Sequence, residues 1–179
     1  ITLRTNGNKV KLPPNFHILG TVNTSDQNVF VMDTAFKRRF EWEYISPDPV
    51  IDSAPGVTPI VYKNDVMLSI NDGKSMKDIT WVDLYTKMND FIADERYLAL
   101  GEDKQLGPFF IEFDTSATLV EHKKQIKNKL LHYLWDDVHK ASYKSEIKLF
   151  KDEIGTFKNL YEAFENDLPI FSSEFINTL

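Results

Sequence analysis

Cysteine is absent from the 179 residues, which excludes disulfides, thiolate zinc sites and a cysteine nucleophile together. No apolar run approaches the roughly 18 residues that a bilayer-crossing helix needs, and no charged-then-apolar leader stands at Ile1. Also missing are a G-x-x-x-x-G-K-[ST] stretch, whose backbone would cradle phosphates, and an apolar strand ending in Asp-Glu to hold magnesium. The formal net charge is −6, so bulk charge argues against a stand-alone polyanion binder. What is present suffices for a core: 42% of residues are hydrophobic and 13% aromatic, enough for one domain or one and a half. Ile1 is not an initiator Met and opens into a strand-like Ile-Thr-Leu. The expectation is an internal stretch of a longer, cytoplasmic protein with no membrane partner.

The N-terminal third centres on residues 16–40. Ile1 to Leu12 reads as a hairpin, with alternating apolar and polar residues on either side of Asn6-Gly7. After Pro13-Pro14, the continuous apolar run Phe16-His-Ile-Leu-Gly20 reads as a central strand buried on both faces. Such strands belong to parallel sheets, and ligands gather at their carboxyl ends. Asn23, Thr24, Ser25 and Asp26 follow at that end. Asp33 is a candidate N-cap for a short helix that carries Lys37, Arg38 and Arg39. Phe40 to Ile45 alternates and reads as the next strand.

Four prolines and Gly56 between Pro47 and Pro59 predict an irregular connection. A small hairpin is expected around Asn71-Asp72-Gly73, between Val66 to Ile70 and Lys74 to Met76. From Thr80 the spacing turns helical, with Trp81, Leu84, Tyr85, Met88, Phe91 and Ile92 on one face and Thr80 and Asp83 as a cap. A loop then feeds a short strand, Phe109 to Phe113. A long helix starts near Thr118 with Glu121 at the capping-box position, and its stripe is Leu119, Ile126, Leu130, Leu131, Leu134 and Val138. Two further helical segments are expected, at Glu146 to Glu153 and Thr156 to Glu165. His132, Asp136 and His139 share a face of the long helix, a spacing that arises often by chance, and no fourth metal ligand accompanies them. Lysines 123, 124, 127 and 129 read as its wet face.

Leu12-Pro-Pro-Asn-Phe-His-Ile-Leu-Gly-Thr-Val-Asn-Thr-Ser-Asp26 followed by Met32-Asp-Thr-Ala-Phe-Lys-Arg-Arg-Phe40 resembles the second half of an AAA+ nucleotide-hydrolysing module. It is most similar to the McrB-like branch, the GTP-dependent subunits of McrBC- and LlaJI-type restriction systems. Leu100-Gly-Glu-Asp-Lys-Gln-Leu-Gly-Pro-Phe-Phe110 resembles that branch's lid motif, and Leu130-Leu-His-Tyr-Leu-Trp-Asp-Asp137 a later one. The motifs lie in family order from about Ile1 to Lys140, and the last forty residues match nothing of this kind. The resemblance implies an α/β fold, the C-terminal part of an AAA+ parallel-sheet subdomain (residues 1–46). A linker and small irregular or β segment (47–79) and a mostly helical lid (80–179) would follow.

It also implies roles. Asn23 matches the sensor-1 residue that orients the attacking water. Arg38 and Arg39 match the arginine-finger region that reaches a neighbouring subunit's nucleotide, and which of the two acts stays open. Thr24 and Asp26 would contact nucleotide. Phosphoryl transfer needs a positioned water and positive charge on the equatorial oxygens, which a guanidinium fork supplies. The intact protein would use GTP or ATP with Mg2+, none of it held tightly by this stretch alone. It would form a homo-oligomeric ring, work with a McrC-like endonuclease subunit and meet DNA through other domains. Two departures count against direct transfer of the activity: the phosphate loop is not in this sequence, and Gln105 stands where some family members carry a basic sensor-2 residue. The competing expectation is a non-catalytic, AAA+-derived scaffold. Residues 23–26 also suit a plain turn and cap, and the arginines suit a helix C-terminus.

Overall fold

The computed structural model describes residues 2–5, 8–11, 13–22 and 33–179. The chain divides into two compact units, residues 1–40 and 41–179.

In the first unit, β1 (Thr2–Thr5) and β2 (Asn8–Lys11) form an antiparallel ribbon with Thr2 opposite Lys11, Leu3 opposite Val10, Arg4 opposite Lys9 and Thr5 opposite Asn8. The hairpin read from the alternation is therefore present, and its Asn6-Gly7 turn lies outside the described residues. Phe16 to Gly20 carries no ladder, and Leu19 is 97% exposed. The single-turn helix α1 (Thr34–Lys37) is N-capped by Asp33, as expected, and Arg38 is its C-cap.

The second unit opens with an extended, exposed stretch. Phe40 to Ile45 is not a strand, and Tyr44 is 73% exposed. Alternation makes a strand only where a partner edge exists, and none of the described strands pairs with this stretch. The proline-rich connection is irregular, crossed by one antiparallel bridge between Ile51 and Tyr62.

Order begins at Val66. β3 (Met67–Asn71) and β4 (Met76–Thr80) pair antiparallel, so the second strand extends four residues beyond the expected end. The Asp72 carboxylate accepts from the backbone of Lys74 and Ser75 (2.7 and 2.8 Å) and Gly73 takes φ 93°, the chemistry of a tight turn. Helix α2 (Trp81–Ala93) follows without a loop, and the Thr80 hydroxyl caps Asp83 N–H at 3.1 Å. All six residues of its expected face are buried.

A long helix begins at Thr118, whose capping box with Glu121 is complete. It runs as α3 (Leu119–Gln125), a π-helical stretch Ile126–Leu130, α4 (Leu131–Tyr133) and a second π stretch Leu134–His139. Ile126, Leu130, Leu131, Leu134 and Val138 are buried. Leu119 is not: at the first helical position it stands before the stripe meets the core. Segment 146–153 is not a helix. Leu149 and Phe150 are both buried, and Lys151 N–H and Ser172 N–H bond Ile170 O and Leu149 O (3.0 and 2.9 Å), bridging Phe150 to Phe171. Consecutive buried residues fit an extended segment, not a helical face. Helix α5 (Phe157–Glu165) and the single turn α6 (Ser173–Ile176) complete the unit. One core joins Val66, α2, the long helix, Leu160 and Phe175.

Candidate functional site

The arginine pair is built on α1. Asp33 sits in extended conformation and its carboxylate accepts from Phe36 N–H at 2.6 Å, fixing where the turn starts. Arg38 N–H bonds Thr34 O (3.1 Å) and Arg39 N–H bonds Phe36 O (3.0 Å), while the Phe36 and Phe40 rings lie 5.0 Å apart and close the turn. The turn places Arg38 and Arg39 side by side, both exposed and neither in an ion pair among the described residues. Unpaired guanidinium groups on a short, capped scaffold are free to meet an anion brought from outside. The other residues singled out in the sequence, Asn23, Thr24 and Asp26, lie outside the described residues.

A second feature lies within residues 41–179. The C-terminal half of α2 and the loops beside it enclose a polar groove of about 600 Å3. Lys87, Asp90 and Asp94 come from α2 and its end, Arg96 from the following turn, Gln105 from the family-like motif and Thr178 from beyond α6. Asp94 accepts from Arg96 four times, from its backbone N–H (2.8 Å), from Nε (3.0 and 3.1 Å) and from a terminal nitrogen (2.6 Å). These bonds stabilise the carboxylate and hold its pKa down at about 2. The Arg96 guanidinium lies 5.7 Å from the Tyr97 ring, which stacks on Phe91 at 4.7 Å. Asp94 and Arg96 largely neutralise each other, so the groove offers amide and hydroxyl groups more than net charge.

Gln105 follows a single 3-10 turn, Glu102–Lys104, and the expected strand Phe109 to Phe113 is not formed. Side chains hold this loop instead. Buried Asn89 donates to Leu106 O (2.8 Å) and accepts from Leu106 N–H (2.6 Å). Asn64, at φ 59°, donates to Pro108 O and Ile111 O (2.7 Å each) and accepts from Phe113 N–H (2.8 Å). Trp81 Nε1–H donates to Pro108 O at 2.9 Å. Each bond satisfies a backbone group of this loop that no ladder pairs. The sequence carried one overlooked signal of this clamp: Asn89 is a polar residue at a core position of an apolar helix face.

The remaining candidates separate. His132 Nδ1 meets Asp136 at 2.8 Å on the surface, whereas His139 turns inward and stacks on Trp135 at 4.5 Å. Burial pushes the His139 pKa down, and the three side chains do not converge. Lys123 pairs with Asp167 (2.7 Å) and donates to Glu165 O (3.0 Å), Lys127 pairs with Glu165 and lies over Tyr161, and Lys129 lies over Phe110. Three of the four lysines of the supposed wet face are thus occupied within the chain. No helix among the described residues is long and apolar enough to cross a membrane.

The chain is similar to the type II restriction enzyme BsuMI component YdiS of Bacillus subtilis strain 168, 32% identical over 166 residues. The match covers 91% of this chain and 41% of the relative, so the chain spans about two-fifths of that protein's length. No family model matches the chain, and no solved structure matches it.

Proposed function

We propose that the chain is part of a restriction-system subunit, and within it the C-terminal part of an AAA+ motor that hydrolyses GTP or ATP with Mg2+. The likeness to a restriction enzyme component along 91% of the chain carries the first half. The family order of the motifs supports the second, together with two exposed guanidinium groups on a capped turn within the first of them. In this reading residues 16–20 and 40–45 join the parallel sheet of the whole module. Asn23 orients the attacking water, Thr24 and Asp26 contact the nucleotide, and Arg38 or Arg39 neutralises charge developing on the γ-phosphoryl group of a neighbouring subunit. The partners are further copies of the subunit in a ring, an endonuclease subunit and DNA.

Nucleotide turnover by the intact protein tests it. Arg38→Ala/Arg39→Ala should lower turnover by roughly a thousandfold, the scale of an arginine finger, and Asn23→Ala should also lower it strongly. Mixing the double variant with a subunit defective in its phosphate loop should restore part of the rate, because each supplies what the other lacks. Unchanged turnover in both variants would overturn the motor reading. One observation favours a non-hydrolysing scaffold instead: Gln105 is uncharged at the position where some members of the resembled family carry a basic sensor-2 residue. That reading expects assembly with partner subunits and no turnover even in the unaltered protein.

A further inference from the structure

The polar groove beside α2 is walled by elements fixed to the core. Asn89 grips Leu106 through both ends of its amide (2.8 and 2.6 Å) and so sets the neighbouring Gln105 against the helix. Buried Phe175 meets Phe91 edge-on at 5.3 Å, which anchors α6 and with it Asn177 and Thr178 at the groove. Lys87 and Asp90 stand three residues apart on α2, and so are neighbours on its surface. Walls fixed in this way lower the entropy cost of receiving a ligand.

Much of the lining is already engaged. Asp94 and Arg96 bond each other, the Tyr97 ring stacks on Phe91, and the Thr178 hydroxyl donates to Phe175 O at 2.7 Å. Lys87, Asp90, Gln105 and Asn177 are not: none of these side chains bonds another group among the described residues. Lys87 and Asp90 do not pair with each other despite their spacing. The groove therefore offers one cation, one anion and two amides. Each amide presents a C=O beside an N–H, the complement of a peptide group's own donor and acceptor. The charges cancel, and residues 41–179 as a whole hold fifteen Lys and Arg against twenty-five Asp and Glu. A phosphate backbone gains little from such a wall.

We propose that this groove binds an extended peptide segment of a partner protein, with a basic residue that meets Asp90 and an acidic residue that meets Lys87. The Gln105 and Asn177 amides bond its main chain, and the two charges set its register. The partner is the endonuclease subunit of the function proposed above, and for that source alone the inference rests on that reading. Binding itself does not depend on nucleotide hydrolysis. DNA is the competing occupant.

The test uses the full-length protein and fluorescently labelled, overlapping peptides that cover the endonuclease subunit, each about 15 residues and so long enough when extended to cross the groove. Anisotropy should find one peptide, or a few that overlap, bound by the unaltered protein. Gln105→Ala/Asn177→Ala should weaken that binding by roughly tenfold or more. The exchange variant Lys87→Asp/Asp90→Lys should lose the same peptide and gain a version of it in which the acidic and basic residues trade places. A gain of binding cannot come from misfolding. Turnover of the Arg38→Ala/Arg39→Ala variant tests the motor reading separately, so either reading can fail alone. The proposal is overturned if no peptide binds the unaltered protein, or if the amide variant binds as tightly as the unaltered one. It is also overturned if the exchange variant does not prefer the exchanged peptide. Loss of affinity for a labelled DNA duplex in the groove variants, with peptide binding intact, would assign the groove to DNA instead.

Discussion

From Pro13 to Asp65 no described side chain is buried, whereas from Val66 to Phe175 a continuous core encloses Trp81, Tyr85, Phe91, Phe150 and Phe175. Both stretches are rich in apolar residues. Ile18, Leu19, Tyr44 and Ile45 are large apolar or aromatic residues like those of α2, yet they are exposed. The difference is in what each pattern needs. An amphipathic helix buries its stripe on whatever packs against it, and the β3–β4 hairpin and the long helix supply that surface within the chain. A strand buried on both faces needs neighbouring strands and two covering layers. Arg38 and Arg39, proposed above for chemistry, therefore lie in the exposed stretch, while the region that folds tightly carries a polar groove.

The comparison is broken most directly in the core. Trp81 is fully buried, packs 5.3 Å from Tyr85 and 5.5 Å from Phe113, and donates to Pro108 O. Trp81→Ala should cost about 3–5 kcal/mol by denaturant unfolding. Asn64→Ala comes next. It removes three hydrogen bonds worth about 1 kcal/mol each and puts a β-carbon-bearing residue without a polar side chain at φ 59°, which adds about 1 kcal/mol, so a loss of about 4 kcal/mol is expected. Asn64→Gly loses the same bonds but tolerates that backbone, and should recover about 1 kcal/mol of the difference. Equal losses in the two variants would show that the backbone conformation contributes nothing.

How far these features were legible follows the range of the interactions. The Thr80 and Thr118 caps, the α2 face, α5 and the Asp72-Gly73 turn depend on residues a few positions apart, and the sequence displays them. The Asp33 cap that presents Arg38 and Arg39 is of the same kind. The clamp on residues 105–113 is not: Asn64 bonds Phe113 across 49 positions and Asn89 bonds Leu106 across 17. Periodicity sees only Phe109-Phe110-Ile111 and reads a strand. The pairing of Leu149–Lys151 with Ile170–Ser172 is equally distant, so a short apolar segment passes for a helix. The polar groove escaped for the same reason, since α2, the 105 loop and the end of α6 meet only in the folded chain.

A smaller effect belongs to His139. Its ring stacks on Trp135 and meets Phe150 at a tilt, its Nδ1 has no hydrogen-bond partner among the described residues, and burial followed by the Lys148 charge pulls its pKa below the usual 6.5. The unfolded chain then takes up the proton first, so it binds more protons than the native state as pH falls below about 6.5. Stability should decline over that range and be retained above it. His139→Phe should flatten the decline, as read from unfolding midpoints at pH 7.5 and 5.5. A decline of the same size in the variant would assign it to other groups.

The smallest effect is expected in the exposed stretch, where it tests the comparison from the other side. Tyr44 and Ile45 are 73% and 78% exposed, so in this chain Tyr44→Ser should shift unfolding by less than about 0.5 kcal/mol. Under the AAA+ reading the same residue belongs to a sheet strand of the intact subunit. There its loss should cost about 2–4 kcal/mol, because a buried aromatic side chain is replaced by a small polar one. Measuring Tyr44→Ser in both contexts therefore separates two explanations of exposed hydrophobicity. A large cost only in the intact subunit means that residues 40–45 are a strand awaiting its neighbours. A negligible cost in both means that the alternation from Phe40 to Ile45 serves a surface, and the parallel-sheet reading falls with it.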